Sequence, residues 1–178
     1  FSFDGKNNLD MRMDKNQNID AIKIVNNYSE QQLADLFYNN GDLINSRRIS
    51  QLVCKYRLKT EVKTSNQLNE ALKPLLNKGY ENKFLARVYQ SLRIEVNNEI
   101  LYLKKLLKQI PEVLKTNGTA SIITYHSIED RLVKRFFKNG CFNNEPEKDE
   151  YGNKKTLFKT KKFISPNDFE IKKNPRSR

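Results

Sequence analysis

One corner of this sequence gathers several side chains that could do chemistry: His126, Ser127, Glu129, Asp130 and Arg131 lie in a single short stretch. Together they offer hydrogen-bond acceptors, a hydroxyl and a guanidinium, and His126 is the only histidine among 178 residues. The run ahead of them, Thr119-Ala-Ser-Ile-Ile-Thr-Tyr125, is β-branched and aromatic and follows Asn117-Gly118, which predicts a buried strand after a helix stop. In open α/β sheets ligands lie in the crevice beyond the carboxyl ends of the strands, so a strand emptying into these residues predicts a binding corner. A plainer reading stays open beside it. Ser127-Ile-Glu-Asp130 has the form of a capping box, in which Ser127 and Asp130 only start a helix and His126 is a loop residue ahead of the cap.

The charge balance points to an acidic partner. Formal net charge is +12, of which +8 falls from Arg131 onward and +4 before it. Nucleic acid is the commonest partner for such a surface, and Lys154, Lys155, Lys159, Lys161 and Lys162 are the candidates for RNA contact, against the alternative of a solvated basic face. Cys54 and Cys141 are too few for a disulfide framework, and with one histidine they cannot make a tetrahedral zinc site, so no metal is expected and a reducing, cytoplasmic compartment fits. No run approaches the ~18 apolar residues of a membrane span, so a membrane is not among the expected partners. The chain begins at Phe1 in what reads as a loop, and a fragment of a longer protein is expected.

These side chains must be positioned by the elements around them. Residues 1–18 read as a loop whose alternating Leu9-Asp-Met-Arg-Met-Asp14 is either a short strand or a segment pinned into a core by Leu9, Met11 and Met13. Residues 19–80 read as short helices with their own start and stop signals. Ser29-Glu-Gln-Gln32 and Thr64-Ser-Asn-Gln67 are capping boxes, Gly41 and Pro74 are stops, and Ile44, Ile49, Leu52, Val53 and Tyr56 form an apolar face. Arg47, Arg48, Lys55 and Arg57 stay largely off that face, as solvated charges usually do. Such short helices must pack on one another, which predicts a helical subdomain. From Lys83 to Lys115 apolar residues recur every three or four positions, predicting one long amphipathic helix or two joined at Pro111. Arg87, Arg93, Glu95 and Asn97 fall outside its stripe. After the helix that starts near Ile128, residues 139–155 read as a surface loop, 156–164 as a further strand, and Ser165-Pro-Asn-Asp168 as the start of a last helical turn.

Four blocks in order carry a resemblance over essentially the whole chain. They are Phe1-Ser-Phe with Leu9-Asp-Met-Arg-Met-Asp14; Tyr89-Gln-Ser-Leu-Arg-Ile-Glu-Val-Asn97; Tyr125-His-Ser-Ile-Glu-Asp-Arg-Leu-Val-Lys134; and Asn174-Pro-Arg-Ser-Arg178. With them the chain resembles the bacterial 16S ribosomal RNA cytosine-N4 methyltransferases, the MraW or RsmH family. Tyr125 and Ile128 where the family commonly has Phe and Leu, and Asn117-Gly118 where a Gly pair is usual, are conservative departures.

The resemblance implies an α/β fold, the C-terminal part of a Rossmann-like class I methyltransferase (81–178) with an inserted helical subdomain (19–80) and a loop next to the cofactor pocket (1–18). It implies S-adenosylmethionine as cofactor, a cytidine in the decoding region of the small ribosomal subunit as substrate, and leaves a homodimer open. The family's N-terminal strand and glycine-rich turn have no match here, since all six glycines are isolated. The chain alone is therefore expected to be inactive and not to hold the cofactor. By the same resemblance Asp10 and Arg12 are candidates for closing the cofactor pocket or positioning RNA. His126, Ser127, Glu129, Asp130 and Arg131 are candidates for the cytidine side, where acceptors could hold the amine protons and turn the delocalised N4 lone pair toward the methyl donor. No general base is assigned, because the proton can leave to water. The alternative from another class is a non-catalytic basic RNA-binding module.

Overall fold

The computed structural model describes residues 8–143, 145–146, 148–153, 158–160 and 164–175. Among them run helices α1 (Ala21–Asn27), α2 (Glu30–Gly41), α3 (Ser46–Arg57), α4 (Ser65–Leu72), α5 (Glu81–Val96), α6 (Glu99–Val113), α7 (Ser127–Asn139) and α8 (Asp168–Lys173), with a 3-10 turn at Lys73–Leu75 that contains Pro74. The chain divides into two compact units, Phe1–Ile110 and Pro111–Arg178.

The first unit is built from short helices whose starts are written into the sequence. Gln32 N–H donates to Ser29 Oγ at 3.2 Å while Ser29 N–H donates to Gln32 Oε1 at 2.8 Å, and Thr64 and Gln67 repeat the exchange. Each such cap satisfies donors that a helix start leaves open and contributes about 1 kcal/mol. Helix α2 packs against both α3 and α5. Leu33 and Phe37 of α2, Ile49 and Val53 of α3, and Val88 and Leu92 of α5 are fully buried in one core, which also takes in Leu9, Ile24 and Leu68. Thus α5 packs with the helices that precede it, although the run of short helical start and stop signals ends at about residue 80.

Where α2 ends, Asp42 takes a left-handed conformation with φ 50°, and Arg87 of α5 donates from Nε to Gly41 O at 2.8 Å and from Nη2 to Asp42 O. The two carbonyls that the helix end leaves without partners are thereby satisfied. Packing here is tight: a Cβ on Gly41 would meet Leu43 Cδ1 at 3.0 Å and Arg87 O at 3.2 Å. Arg57 does similar work for α1, donating to Val25 O at 2.7 Å.

Two expectations change in this unit. Ile44 does not join the apolar face of α3; it precedes the helix, on the outer side, and is 93% exposed. The long amphipathic pattern after Lys83 does break into two helices, but at Asn97–Asn98 rather than at Pro111, which lies inside the last turn of α6. Asn98 turns the chain with φ 51°, a conformation Asn tolerates better than most residues, and Asn97 Nδ2 takes Arg93 O at 2.8 Å.

In the second unit α7 starts at Ser127 and ends at Gly140, whose φ of 72° closes the helix. Phe136 stacks on Phe142 at 5.0 Å and Phe137 meets Phe158 edge-on at 4.9 Å, forming the aromatic cluster of this unit. Helix α8 is started by a capping box between Asn167 and Glu170. The predicted strand before His126 is not formed. Residues 119–125 join no ladder, and Ile123 and Tyr125 are 83% and 88% exposed. A half-buried alternation does survive from Ala120 to His126; a strand also needs a neighbour to exchange backbone hydrogen bonds with, and none of the described residues supplies one. Residues 158–160 are likewise not strand, and the remainder of the second predicted strand, apart from Ile164, lies outside the described residues. The expected short helices are thus formed, whereas a Rossmann-like sheet is absent among the described residues.

These assignments separate by denaturation. Phe37→Ala should lose about 3–5 kcal/mol in urea unfolding, and Ile44→Ala should stay within about 0.5 kcal/mol of the parent. A large loss at Ile44 would place it back in the core.

Candidate functional site

Leu9 and Met11 are buried, at 1% and 5% exposure, while Met13 is 66% exposed, so the loop is pinned by two side chains and not by the three expected. Between the pins the backbone must satisfy its polar groups without a ladder. Leu9 N–H donates to Lys63 O at 2.9 Å, next to a single antiparallel bridge between Asn8 and Thr64, and Ala21 N–H donates to Asp10 O at 2.9 Å. Met11 sits at φ 63°, a strained choice for a residue with a Cβ. The Asn97 carboxamide holds it there: Nδ2 donates to Met11 O at 2.9 Å and Oδ1 accepts from Met13 N–H at 2.8 Å. Two of the resembling blocks therefore meet through one side chain.

On this frame Asp10 and Arg12 come together. Arg12 Nε donates to Asp10 Oδ1 at 2.7 Å and Nη2 to Oδ2 at 3.1 Å, a bidentate pair, and Lys15 Nζ reaches Oδ2 at 2.9 Å. Arg12 Nη1 closes the loop on itself by donating to Lys15 O at 3.1 Å and Gln17 O at 2.8 Å. The hydrogen bonds from Arg12, joined by Lys15, hold the Asp10 carboxyl well below the usual carboxylate range against a smaller opposing effect of burial. Asp10 is thus an ionised anchor with its oxygens already engaged.

Beside the loop an open cleft of about 250 Å³ is lined by Gln17, Asn18, Ile19, Tyr28, Glu95, Val96 and Asn98. Glu95 accepts from Tyr28 Oη–H at 3.2 Å and from Asn40 Nδ2 at 2.9 Å. Burial first, then the Glu95 charge, raises the Tyr28 pKa and keeps the phenol protonated as a donor. Sequence reasoning placed Glu95 and Asn97 as off-stripe polar residues inside one of the resembling blocks and gave them no role. Their signal was that they are polar residues near a helix end interleaved with apolar Ile94 and Val96.

The second candidate corner is in the other unit. There the capping differs from the expected box: His126 itself is the N-cap, with φ −147° and ψ 163°, and Glu129 N–H donates to its Nδ1 at 3.3 Å. Glu129 reciprocates by accepting from Tyr125 N–H at 2.9 Å through Oε2, and its Oε1 lies 3.5 Å from His126 Nε2. The cap lies one residue nearer the N-terminus than expected, with the imidazole nitrogen in the part assigned to the Ser127 hydroxyl, and the reciprocal bond goes to the residue before the cap instead of to the cap itself. Asp130 takes no part in the cap; it pairs with Lys134 at 2.8 Å one turn along α7. Ser127 and Arg131 are exposed at the start of the helix. Of the basic cluster, Lys159 is exposed, and Lys154, Lys155, Lys161 and Lys162 lie outside the described residues.

The loop and the cap give separate tests. Asp10→Asn should be less stable than the parent at neutral pH. Because the folded carboxyl is depressed below its ordinary value of 3.8, the deficit should hold above that value and close as pH falls below it, read by denaturant melts at stepped pH. A gap that stays constant into acid would mean the pair contributes no linkage. Asn97→Ala should cost on the order of 1–3 kcal/mol by leaving loop carbonyls unsatisfied. At the corner, His126→Ala should lower α7 stability by about 1 kcal/mol while His126→Asn retains the cap. Equal melting of all three proteins would remove His126 from the capping role.

Comparison with known proteins gives the chain its family. The model of the MraW methylase family matches residues 1–178. Among curated proteins the chain is 48% identical to ribosomal RNA small subunit methyltransferase H of Christiangramia forsetii over 99% of its own length. It is 47% identical to that of Flavobacterium johnsoniae over 96%, and 45% identical to that of Bacteroides fragilis over its full length. The chain spans 57–59% of the length of these relatives. With a family match from end to end and relatives this similar, the chain belongs to the MraW methylase family.

Proposed function

We propose that this chain is part of an S-adenosylmethionine-dependent class I methyltransferase that methylates N4 of a cytidine in the decoding region of 16S rRNA, in the cytoplasm. The observation that carries the reading is the family match over the whole chain, joined to relatives all named ribosomal RNA small subunit methyltransferase H. In this reading the first unit contains the family's helical insert, and the second belongs to the C-terminal part of its α/β domain. The concentration of positive charge after Arg131 suits a ribosomal RNA partner. No helix among the described residues is long and apolar enough to cross a membrane.

The described residues do not by themselves fit the cofactor. Asp10, the loop's acidic residue expected near the cofactor, is engaged by Arg12 and Lys15 and is not an open acceptor for a ribose or an ammonium group. We assign Asp10 and Arg12 the role of fixing the loop. At the cytidine side the needed chemistry is hydrogen-bond acceptance from an exocyclic amine, with the base held in line for transfer. Glu129 and Ser127 supply acceptors, Arg131 supplies a donor for the cytosine carbonyl or a phosphate, and the His126 cap and the Asp130–Lys134 pair hold the start of α7 in place. That division of labour makes His126 and Asp130 positioning residues.

Methyl transfer from labelled S-adenosylmethionine to small ribosomal subunits, measured with a protein of the relatives' full length, tests the function. Nucleoside mass spectrometry should find N4-methylcytidine, and a methyl group on the ring carbon or the ribose would refute the N4 assignment. Arg131→Ala should slow transfer tenfold or more, about 1.4 kcal/mol, with melting temperature and cofactor affinity unchanged. Calorimetry on the 178-residue chain should show no saturable S-adenosylmethionine binding; micromolar binding would mean that the loop residues hold more of the pocket than assigned. RNA binding with no transfer by the full-length protein would favour the non-catalytic module.

A further inference from the structure

The outer face of α3 and its two flanks carries a set of side chains that packing does not explain. Ile44, Arg47, Arg48, Gln51, Lys55, Leu58 and Lys59 are all exposed, whereas Ser46, Ile49, Ser50 and Val53 are buried. At 100° per residue the helical members Arg47, Arg48, Gln51 and Lys55 fall within about 100° of arc, so they form one stripe about 12 Å long at 1.5 Å per residue, with Ile44 before the helix and Leu58 and Lys59 just past its end. The stripe has four cations and no carboxylate. Among the described residues no ion pair is made by Arg47, Arg48, Lys55 or Lys59, and Arg48 has only a 3.5 Å contact with Gln51 of the same face.

Two of these charges stand where they cost stability. Arg47 and Arg48 occupy the first turn of α3, where the helix dipole favours anions, and the N-cap Asn45 makes no side-chain hydrogen bond to soften it. The other basic residues of the helix have local reasons to be there: Lys55 and Arg57 lie in the last turn, on the favourable end of the dipole, and Arg57 binds Val25 O. Ile44 and Leu58, at 93% and 86% exposure, flank the stripe with apolar surface, and Gln51 provides an amide at its centre. Cations uncompensated by the protein, interleaved with apolar and amide groups, are the complement of a chain of phosphates with sugars and bases between them.

We propose that this face of α3 is an RNA-backbone contact surface of the helical unit, with Arg47, Arg48, Lys55 and Lys59 each neutralising a phosphate and Ile44 and Leu58 lying against riboses or bases. The proposal rests on the reading of the chain as part of an rRNA methyltransferase and adds a second contact region to the basic C-terminal one. Its occupant is single-stranded or loop RNA, because cations, amide and apolar side chains share one narrow stripe.

The test uses the 178-residue chain and a fluorescent RNA oligonucleotide titrated at several salt concentrations. The variant R47Q/R48Q/K55Q/K59Q should raise Kd at least about tenfold at 0.1 M salt and make the plot of log K against log salt shallower by about three units, at roughly 0.7 per lost contact on a single strand. K73Q/K78Q/K83Q, which removes exposed cations elsewhere in the same unit, serves as control and should change the slope much less. R47K/R48K should retain most of the affinity, and circular dichroism should show unchanged helix content in every variant. Ile44→Ser with Leu58→Ser should weaken binding without altering the salt slope. A quadruple variant with the parent's slope, a loss no larger than the control's, or a parent chain without salt-dependent RNA binding would each overturn the proposal. The methyltransferase reading is judged apart from these outcomes by methyl transfer from the longer protein.

Discussion

An irregular segment that enters a core must have its backbone groups satisfied without a ladder, and here that constraint falls largely on one carboxamide. Asn97 ends α5, takes the carbonyl of Met11 and offers its oxygen to the Met13 amide, so the loop is tied to a helix end. Burial of Leu9 and Met11 fixes how deep the loop sits, and the left-handed Met11 turns Asp10 and Arg12 toward each other. Without the amide the same loop would expose buried carbonyls at a cost comparable to a whole helix cap. The break between α5 and α6 at Asn97–Asn98 is therefore also the fixing point of the loop.

Side-chain groups in place of backbone partners recur through the molecule. Asn26 exchanges both kinds of hydrogen bond with Val62, its amide donating at 2.9 Å and its oxygen accepting at 3.0 Å, as a neighbouring strand would. Arg57 closes α1, Arg87 closes α2 and the His126 imidazole opens α7. In a unit of short helices every end is near another element, and long polar side chains satisfy ends that longer helices would leave in water.

What could be read from the sequence follows from how local each signal is. The boxes at Ser29 and Thr64, the end at Gly41 and the start of α8 depend on three or four adjacent residues, and all were legible. Met13 and Ile44 were misplaced because a period assigns a face without saying where the pattern stops. The cap at α7 was displaced by one residue because Ser-x-x-Asp at Ser127 and the His126–Glu129 exchange compete for the same turn, and only geometry separates them. The strand before His126 was legible as an alternation but not as an element, since pairing is a property of two segments. Asn97 was hidden for the same reason: its partners at Met11 and Met13 are more than eighty positions away.

Gly41 and Arg87 show what the close fit of α2 and α5 means for sequence change. A side chain at Gly41 would push against the Arg87 carbonyl and Leu43, and the Arg87 guanidinium grips the carbonyls of Gly41 and Asp42 with a planar fork that a lysine ammonium cannot reproduce. Substitutions at the two positions would thus be strongly non-additive. A change at either position therefore acts on the same few contacts between the end of α2 and α5, so the turn after α2 is where this helix pair tolerates least.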